Sequence, residues 1–246
     1  MPQIDGYSIT FPIVAGKFHP NKIDIDIKSV VGTSFYIGNG FYITAGHVLK
    51  EASNFEVFAL GITKSLKPWL AAKIDSIEIK EEIDIGVFKA QHIISQAYPW
   101  EKNYVGNLSD VMVSGYPHAL YKEEASIYRR DFKGYIITRR PYQRLALKPH
   151  IYELSIACPR GISGSFVIDD STGRICAVVI GSDKSEVDLH YMTEEIIEFE
   201  HKHTYHKTET STYGIAIATK DLLNLEFELL NGKLEDHLKK QNILEE

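Results

Sequence analysis

Three short segments of the chain carry side chains that could act together in chemistry. His47 directly follows an apolar segment (FYITAG), Asp84 opens an apolar run (DIGVF), and Ser163 is the centre of a small-residue segment (GISGS). A serine hydroxyl is a poor nucleophile until a neighbouring base takes its proton, and imidazole has a pKa suited to that exchange near neutral pH. If the fold brings them together, these residues can form a nucleophilic site.

Each of the three residues also has a plainer interpretation when it is taken alone. Segment 161–165 could be a turn that needed small residues, His47 a structural histidine, and Asp84 a cap at the start of a strand. A carboxylate at the edge of an apolar run must find a donor, because an unpaired charge in a low dielectric is costly. The occurrence of all three in one chain favours the chemical interpretation.

The three segments resemble the trypsin-like (chymotrypsin-fold) serine proteases, especially their compact bacterial, HtrA-like branch. The histidine of that family follows T-A-A/G-H, its acid opens D-I/L-A/G-hydrophobic, and its serine lies in G-x-S-G-G/S; residues 44–47, 84–87 and 161–165 match these patterns. The order His, Asp, Ser along the chain is also that of the family. Further similarities at SGYP, GRICAVVIG and YGIAIATKDL extend the resemblance over about residues 30–222.

The resemblance implies a serine endopeptidase that forms an acyl-enzyme and uses no cofactor and no metal. His47, Asp84 and Ser163 would be the catalytic residues, with Asp84 orienting the imidazole and stabilising its protonated form. The backbone N–H groups of Gly161 and Ser163 would form the oxyanion hole. Protein or peptide would be the substrate.

The resemblance also places the residues that line the substrate pocket, and none of them is charged. An apolar pocket prefers a small or medium apolar side chain before the cleaved bond. Arg160, next to the loop, could instead meet an acidic side chain, although a solvated arginine is the plainer interpretation. The expected substrate-binding residues are Ala157, Val179, Ile180, Gly181, Gly214, Ile215 and Ala216.

One position departs from many animal members of the family. They carry an aspartate before the serine, which pairs with an N-terminus freed by cleavage, whereas this chain has Ile162. The N-terminal residues MPQIDG do not suggest such a processed start. We therefore expect the loop around Ser163 to be ordered by the chain itself or by an activating protein partner.

The rest of the sequence predicts an all-β protein. The resemblance implies two antiparallel six-stranded barrels in residues 1–104 and 105–222, followed by a helical tail in residues 223–246. Turns are expected at 38–40 (GNG) and 171–173 (STG). Runs rich in β-branched and aromatic residues, typical of strands, lie at 34–45, 83–90, 111–117, 134–138, 150–157, 165–169, 175–181 and 213–219.

Helical periodicity is limited to two segments. Residues 187–203 predict an amphipathic helical insertion, and residues 221–241 predict one or two helices interrupted at Asn231-Gly232. A cluster of histidines in and after the insertion has no cysteine or acidic pattern that would complete a zinc site, so a polar insertion is expected there. These histidines are His190, His201, His203 and His206.

Composition and charge narrow the partners and the compartment. A net charge of −6 and an isoelectric point near 5.9 argue against binding to nucleic acid or to an anionic membrane. The basic stretch 122–150 is interpreted as a solvated face. The N-terminus has no signal-peptide pattern, so a cytoplasmic location is expected. The two cysteines, Cys158 and Cys176, are expected to be buried thiols, although one disulfide remains open.

Two other functional classes were weighed against a protease. An α/β-hydrolase would need glycine where Ser165 stands and a helix after the serine, whereas the residues that follow (SFVID) are typical of a strand. The stronger alternative is a catalytically silent protease-fold module that binds a peptide as an added strand, or binds a partner protein. Labelling of the serine by an active-site probe would distinguish the enzyme from the binding module.

Overall fold

Two closed six-stranded antiparallel barrels form most of the chain. The structure is a computed structural model that describes residues 9–21, 23–63, 69–91, 97–118, 127–195 and 202–245. The predicted fold class is confirmed. The barrels occupy Thr10–Ala90 and Asp110–Ala218, and the division of the whole chain at 104/105 and 222/223 stays a prediction.

The first barrel has the strand order β1-β2-β3-β6-β5-β4 and closes through pairing of β1 with β4. A short helix, α1 (Gly46–Ala52), directly follows the third strand. The strands are β1 (Thr10–Phe18), β2 (Asp24–Gly38), β3 (Phe41–Ala45), β4 (Phe58–Thr63), β5 (Trp69–Lys80) and β6 (Ile85–Ala90).

The second barrel has the order β10-β11-β12-β9-β8-β7 and closes through pairing of β10 with β7. Its aromatic contact with the first barrel includes Phe166 at 5.6 Å, ring centre to ring centre, from Phe35. The strands are β7 (Asp110–Gly115), β8 (Arg130–Pro141), β9 (His150–Leu154), β10 (Phe166–Asp169), β11 (Arg174–Glu195) and β12 (Lys202–Ala218).

The C-terminal segment packs back on the first barrel. It contains α2 (Thr219–Leu222), the two-stranded hairpin β13 (Glu226–Phe227) and β14 (Gly232–Lys233), and α3 (Leu234–Lys240). The predicted interruption at Asn231-Gly232 is confirmed as the turn of this hairpin, where both residues have positive φ. The longest helices that the structure describes have seven residues, and none is long and apolar enough to cross a membrane.

Each of the eight β-rich runs lies within or overlaps a strand, and both predicted turns join consecutive strands. The helical insertion predicted for residues 187–203 is wrong. Residues 187–195 continue β11 and pair with β12 in an extended hairpin, while residues 196–201 lie outside the described residues. The physical reason is that Val187, Leu189 and Tyr191 alternate with polar residues, which is the two-residue period of a strand, and pairing with β12 satisfies the backbone of that strand.

Candidate active site

His47 and Asp84 lie together because their strands are neighbours. His47 is the second residue of α1, just after β3, and Asp84 immediately precedes β6, which pairs with β3. The His47 ring Nδ1 is 2.8 Å from Asp84 Oδ2, and the His47 backbone N–H donates to Asp84 Oδ1 at 2.7 Å. Adjacent to this pair, the Gly46 N–H donates to the backbone carbonyl of Asp84 at 2.9 Å.

The turn that carries Asp84 holds this residue in the left-handed region, with φ of 54°. Aspartate enters this region more readily than most residues because its short polar side chain can hydrogen-bond locally. Here both carboxylate oxygens contact His47, and the side chain of Asp84 is only 20% exposed. A carboxylate acceptor at Nδ1 keeps the proton on that nitrogen, which leaves Nε2 of a neutral His47 as an acceptor.

Ser163 lies in the loop between β9 and β10, which belongs to the second barrel. Its backbone carbonyl accepts the N–H of Thr33 in β2 at 2.9 Å. A Cβ atom on Gly32 would lie 2.5 Å from the Val48 side chain and 3.1 Å from the Ser163 carbonyl oxygen. The chain around Ser163 therefore lies against the same point of β2 as the residue that follows His47. The half-buried Ser163 hydroxyl makes no hydrogen bond to His47.

The segment that precedes Ser163 is fixed by close contacts at Gly161. This glycine has φ of 95°, and a Cβ atom there would lie 2.5 Å from both the His118 nitrogen and the Tyr116 oxygen. The carbonyl of Arg160 accepts the His118 N–H at 2.6 Å. Because the N–H of a trans peptide points opposite to its C=O, the Gly161 N–H is directed away from His118.

The N–H groups of Gly161 and Ser163 remain available as donors. Within the described part of the chain, neither of them has a protein acceptor. The N–H groups around them are used: Ile162 donates to Pro159, Gly164 to Val179 and Ser165 to Ile162. Two unused donors in an ordered loop can stabilise negative charge on an oxygen placed between them.

The residues predicted to bind substrate come together at one end of the second barrel. Val179 pairs with Ala216 and Gly181 with Ile215 across β11 and β12. A Cβ atom on Gly214 would lie 2.5 Å from Cys158 Sγ, so the segment that begins at the exposed Ala157 packs on β12. Ile180 and Gly181 are half-buried, and a Cβ atom on Gly181 would meet no atom within 4 Å. The structure thus leaves open space beside Gly181.

The prediction of two buried thiols is confirmed. Cys158 and Cys176 are both free and buried. Burial raises the pKa of the Cys158 thiol to about 12 and also raises the pKa of Cys176. Since the thiolate is the nucleophilic form, neither cysteine is a nucleophile near neutral pH.

The basic stretch and the histidine cluster show no built ligand site in the part of the chain that the structure describes. Arg160 is 79% exposed and lies 3.5 Å from Glu51. Two basic residues of the stretch 122–150 have acidic partners at the surface, at 2.8 Å for Lys133 with Asp170 and 2.5 Å for Arg144 with Asp183, which agrees with a solvated face there. The described residues contain no group of three potential metal ligands. Of the four histidines, His201 and the side chains of His190, His203 and His206 lie outside this description.

One residue of the site was missed by the sequence analysis. Thr33 is fully buried in β2 and contacts the loop of Ser163 twice, through its backbone N–H and through its hydroxyl. A threonine in a strand is ordinary, because β-branched residues favour strands. No spacing or motif could therefore have distinguished Thr33 from other strand residues.

Comparison with known proteins gives matches among solved structures only. No family model and no curated protein matches the chain. The Rv3671c protease of M. tuberculosis in its active form is 14% identical over 87% of this chain and 77% of its own, with a TM-score of 0.57. The HtrA-type protease AlgW with a bound tripeptide is 13% identical over 87% of this chain and 57% of its own, with a TM-score of 0.54. The fold is that of the chymotrypsin-like serine proteases.

A third solved structure supports the same fold at a similarly low sequence identity. A Glu endopeptidase is 15% identical over 72% of this chain and 80% of its own, with a TM-score of 0.51. In the chymotrypsin fold of this chain, the first barrel supplies His47 and Asp84 and the second supplies Ser163. The α/β-hydrolase alternative is wrong, because strand β10 of an antiparallel barrel follows Ser163 where that fold requires a helix.

Proposed function

We propose that the protein is a serine endopeptidase, with Ser163 as nucleophile, His47 as general base and acid, and Asp84 as the group that orients His47. The observation that carries this proposal is the double contact of His47 with the Asp84 carboxylate. It leaves Nε2 of His47 as the acceptor that a serine nucleophile requires. The fold agrees with this assignment, and its similarity to known proteases supports it.

The reaction would proceed through two tetrahedral intermediates. Ser163 Oγ attacks the carbonyl carbon of the peptide while its proton moves to His47 Nε2, and the Asp84 carboxylate stabilises the resulting imidazolium. The N–H groups of Gly161 and Ser163 donate to the oxyanion. His47 then gives the proton to the leaving amine, which leaves an acyl-enzyme on Ser163. A water molecule, deprotonated by His47, hydrolyses the ester and regenerates the hydroxyl.

The substrate would be cleaved after a small or medium apolar residue. The wall residues Val179, Ile180 and Ala216 are uncharged, and the buried thiol of Cys158 stays neutral beside Gly214. The substrate backbone would bind as an added strand, held mainly by main-chain hydrogen bonds. Arg160 provides the competing possibility of an acidic side chain, and it is directed to Glu51 in this structure.

A silent protease-fold module that binds a peptide or a partner protein is the second candidate. The observation that favours it is the missing hydrogen bond between the Ser163 hydroxyl and His47. Catalytic hydrogen bonds are often long in a protein without substrate, so the enzyme is the first choice. The two candidates are compatible if an activating protein partner exists. The protein would then be silent alone, and binding of the partner would bring the Ser163 hydroxyl into hydrogen-bond contact with His47.

Labelling with a fluorophosphonate probe tests the proposed activity. We expect covalent labelling of the wild type that is lost in Ser163→Ala and kept in Ser165→Ala, since the Ser165 hydroxyl is buried and has no hydrogen-bond partner among the residues that the structure describes. No labelling of the wild type, alone or with added cell extract, would favour the binding module. A label that persists in Ser163→Ala and disappears in Ser165→Ala would show that Ser163 is wrongly assigned.

A peptide library then tests the proposed preference. Cleavage after alanine, valine or leucine is the expected result. Predominant cleavage after lysine or arginine would contradict an apolar pocket. Predominant cleavage after glutamate or aspartate would also contradict it and would indicate that Arg160 binds the acidic side chain of the substrate.

A further inference from the structure

The hydrogen bonds of Thr33 connect the first barrel to the loop that contains Ser163. Thr33 is fully buried, and all of its polar groups are bonded. Its N–H donates to the Ser163 carbonyl at 2.9 Å, and its hydroxyl donates to the Gly161 carbonyl at 2.8 Å. The same hydroxyl accepts the Tyr116 N–H at 2.9 Å, and the Thr33 carbonyl accepts the Thr44 hydroxyl at 2.6 Å.

These contacts determine the direction of the Thr33 hydroxyl proton. The Tyr116 N–H can only donate, so the hydroxyl oxygen accepts from it. The Gly161 carbonyl can only accept, so the hydroxyl proton points to it. A side chain without a hydroxyl cannot satisfy both groups, which belong to two different segments of the second barrel.

Hydrogen bonds from Thr33 hold two carbonyl groups of the loop, those of Gly161 and Ser163. With Gly161 and Ser163 bound to Thr33, and the Arg160 carbonyl bound to His118, the successive peptide planes of the loop are fixed. The plane of the Arg160 carbonyl contains the Gly161 N–H. The two planes bound to Thr33 contain the N–H groups of Ile162 and Gly164 and lie on either side of the Ile162–Ser163 peptide, so they limit its rotation and with it the direction of the Ser163 N–H. Glycine has no side chain that would resist rotation, so the orientation at Gly161 depends on such bonds.

We propose that Thr33 is a positioning residue that holds the loop of residues 158–165 in the conformation able to stabilise an oxyanion. The inference rests on the proposed function. It assigns to the chain itself the ordering that an aspartate and a processed N-terminus supply in other members of the fold. Loss of the hydroxyl leaves the Gly161 carbonyl unsatisfied, and rotation of this peptide to reach another donor turns the loop away from its binding conformation.

The test compares the wild type with Thr33→Val, which keeps the β-branched shape and removes the hydroxyl. With a fluorophosphonate ester, we expect the maximal rate of labelling to fall by at least about tenfold, because one oxyanion donor contributes about 100- to 1,000-fold. The concentration for half-maximal rate should change little. Thr33→Ser, which keeps the hydroxyl, should restore the rate to near that of the wild type.

Ser34→Ala is the matched control. Ser34 is the buried neighbour of Thr33, and its hydroxyl donates to the Phe11 carbonyl within the first barrel. Its loss removes one buried hydrogen bond without changing the loop, so the labelling rate should stay near that of the wild type. An equal fall in Ser34→Ala and Thr33→Val, or an unchanged rate in Thr33→Val, would overturn the inference. If Thr33→Val does not fold, Thr33→Ser and Thr33→Ala, which differ by one hydroxyl, replace it.

Hydrogen exchange of the loop provides a test that does not depend on activity. Peptic fragments that cover residues 158–165 should exchange faster in Thr33→Val by about tenfold or more at amides bonded within the loop, such as Ile162 and Ser165. They should be unchanged in Ser34→Ala. Unchanged exchange in Thr33→Val would refute the inference even if the wild type is never labelled, whereas absence of labelling with faster exchange would refute only the proposed function.

Discussion

His47 presents both its backbone N–H and its ring to one carboxylate, that of Asp84, at 2.7 and 2.8 Å. The first contact fixes the start of α1, and the second fixes the plane and tautomer of the imidazole. Asp84, the single residue before β6, therefore fixes both the start of helix α1 and the orientation of the imidazole ring. This arrangement separates the structural role of Asp84 from its proposed role in proton transfer, because each uses a different oxygen.

Asp84→Asn tests that separation. The asparagine oxygen can still accept the His47 N–H, and asparagine tolerates the left-handed backbone of this position. Its amide N–H would face Nδ1 and place the imidazole proton on Nε2, the wrong tautomer for a base. We expect the rate of fluorophosphonate labelling to fall by about 10⁴-fold.

Thermal unfolding provides the control for Asp84→Asn. The melting temperature should stay within a few degrees of the wild type, because the contact at the start of α1 is kept. A labelling rate equal to that of the wild type would show that Asp84 does not act on His47, and a collapse in stability would show that its structural role dominates.

Gly164→Ala should strongly destabilise the protein. Gly164 has φ of 88°, and a Cβ atom would lie 2.0 Å from the Thr33 carbonyl oxygen and 2.1 Å from Thr44 Oγ1. Because one of these contacts is with backbone, the loop must move away from β2, and we expect a loss of at least about 2 kcal/mol in the free energy of unfolding. Urea denaturation measures it. Gly106→Ala is the control, since its nearest contact is 3.9 Å away, and equal stability of the two variants would contradict the expected clash.

The sequence identified the residues that are recognisable from local patterns. His47, Asp84 and Ser163 each follow or precede an apolar run with a family-like spacing, and the turn at 38–40 has residues suited to positive φ. Thr33 could not be identified in the same way, because its importance comes from partners more than 80 positions away in sequence. Local sequence carries no record of such contacts.

The fold was also only partly accessible from the sequence. Strands β1, β4 and β5 were not among the predicted runs, because glycine, proline, alanine or charged residues interrupt their apolar pattern. They are strands because closure of the barrel pairs them on both sides. Residues 187–203, at the far end of the β11–β12 hairpin, were predicted as a helix for the complementary reason. The apolar residues of that segment also fit a helical period, and only pairing with the partner strand decides.

The two cysteines should behave as buried thiols. The structure has both free, and burial raises the pKa of each, so thiol reagents should react slowly with the native protein. Iodoacetamide added in denaturant, without a reductant, should attach two groups, as measured by intact mass. A protein that takes up two groups only after reduction would contain a disulfide, and rapid double alkylation of the native state would contradict the burial.

The stability of the protein should decrease on acidification because of His237. This residue of α3 is buried, its Nε2 donates to the Ile37 carbonyl at 3.0 Å, and its ring packs edge-on against Phe41. Burial, with a smaller contribution from Lys240, lowers the pKa of His237 below its ordinary value of 6.5. The folded state therefore binds fewer protons than the unfolded state at mildly acidic pH.

The sign of the effect follows from that difference. The contribution of His237 to stability is complete above the unfolded-state pKa and decreases as the pH falls through about 6.5 towards the folded-state pKa, with a slope of at most about 1.4 kcal/mol per pH unit. His237→Gln keeps a donor for the Ile37 carbonyl but does not titrate. Urea denaturation between pH 8 and pH 5 should show that the stability advantage of the wild type over this variant shrinks on acidification. An advantage that stays constant or grows would show that the burial of His237 does not disfavour its protonation.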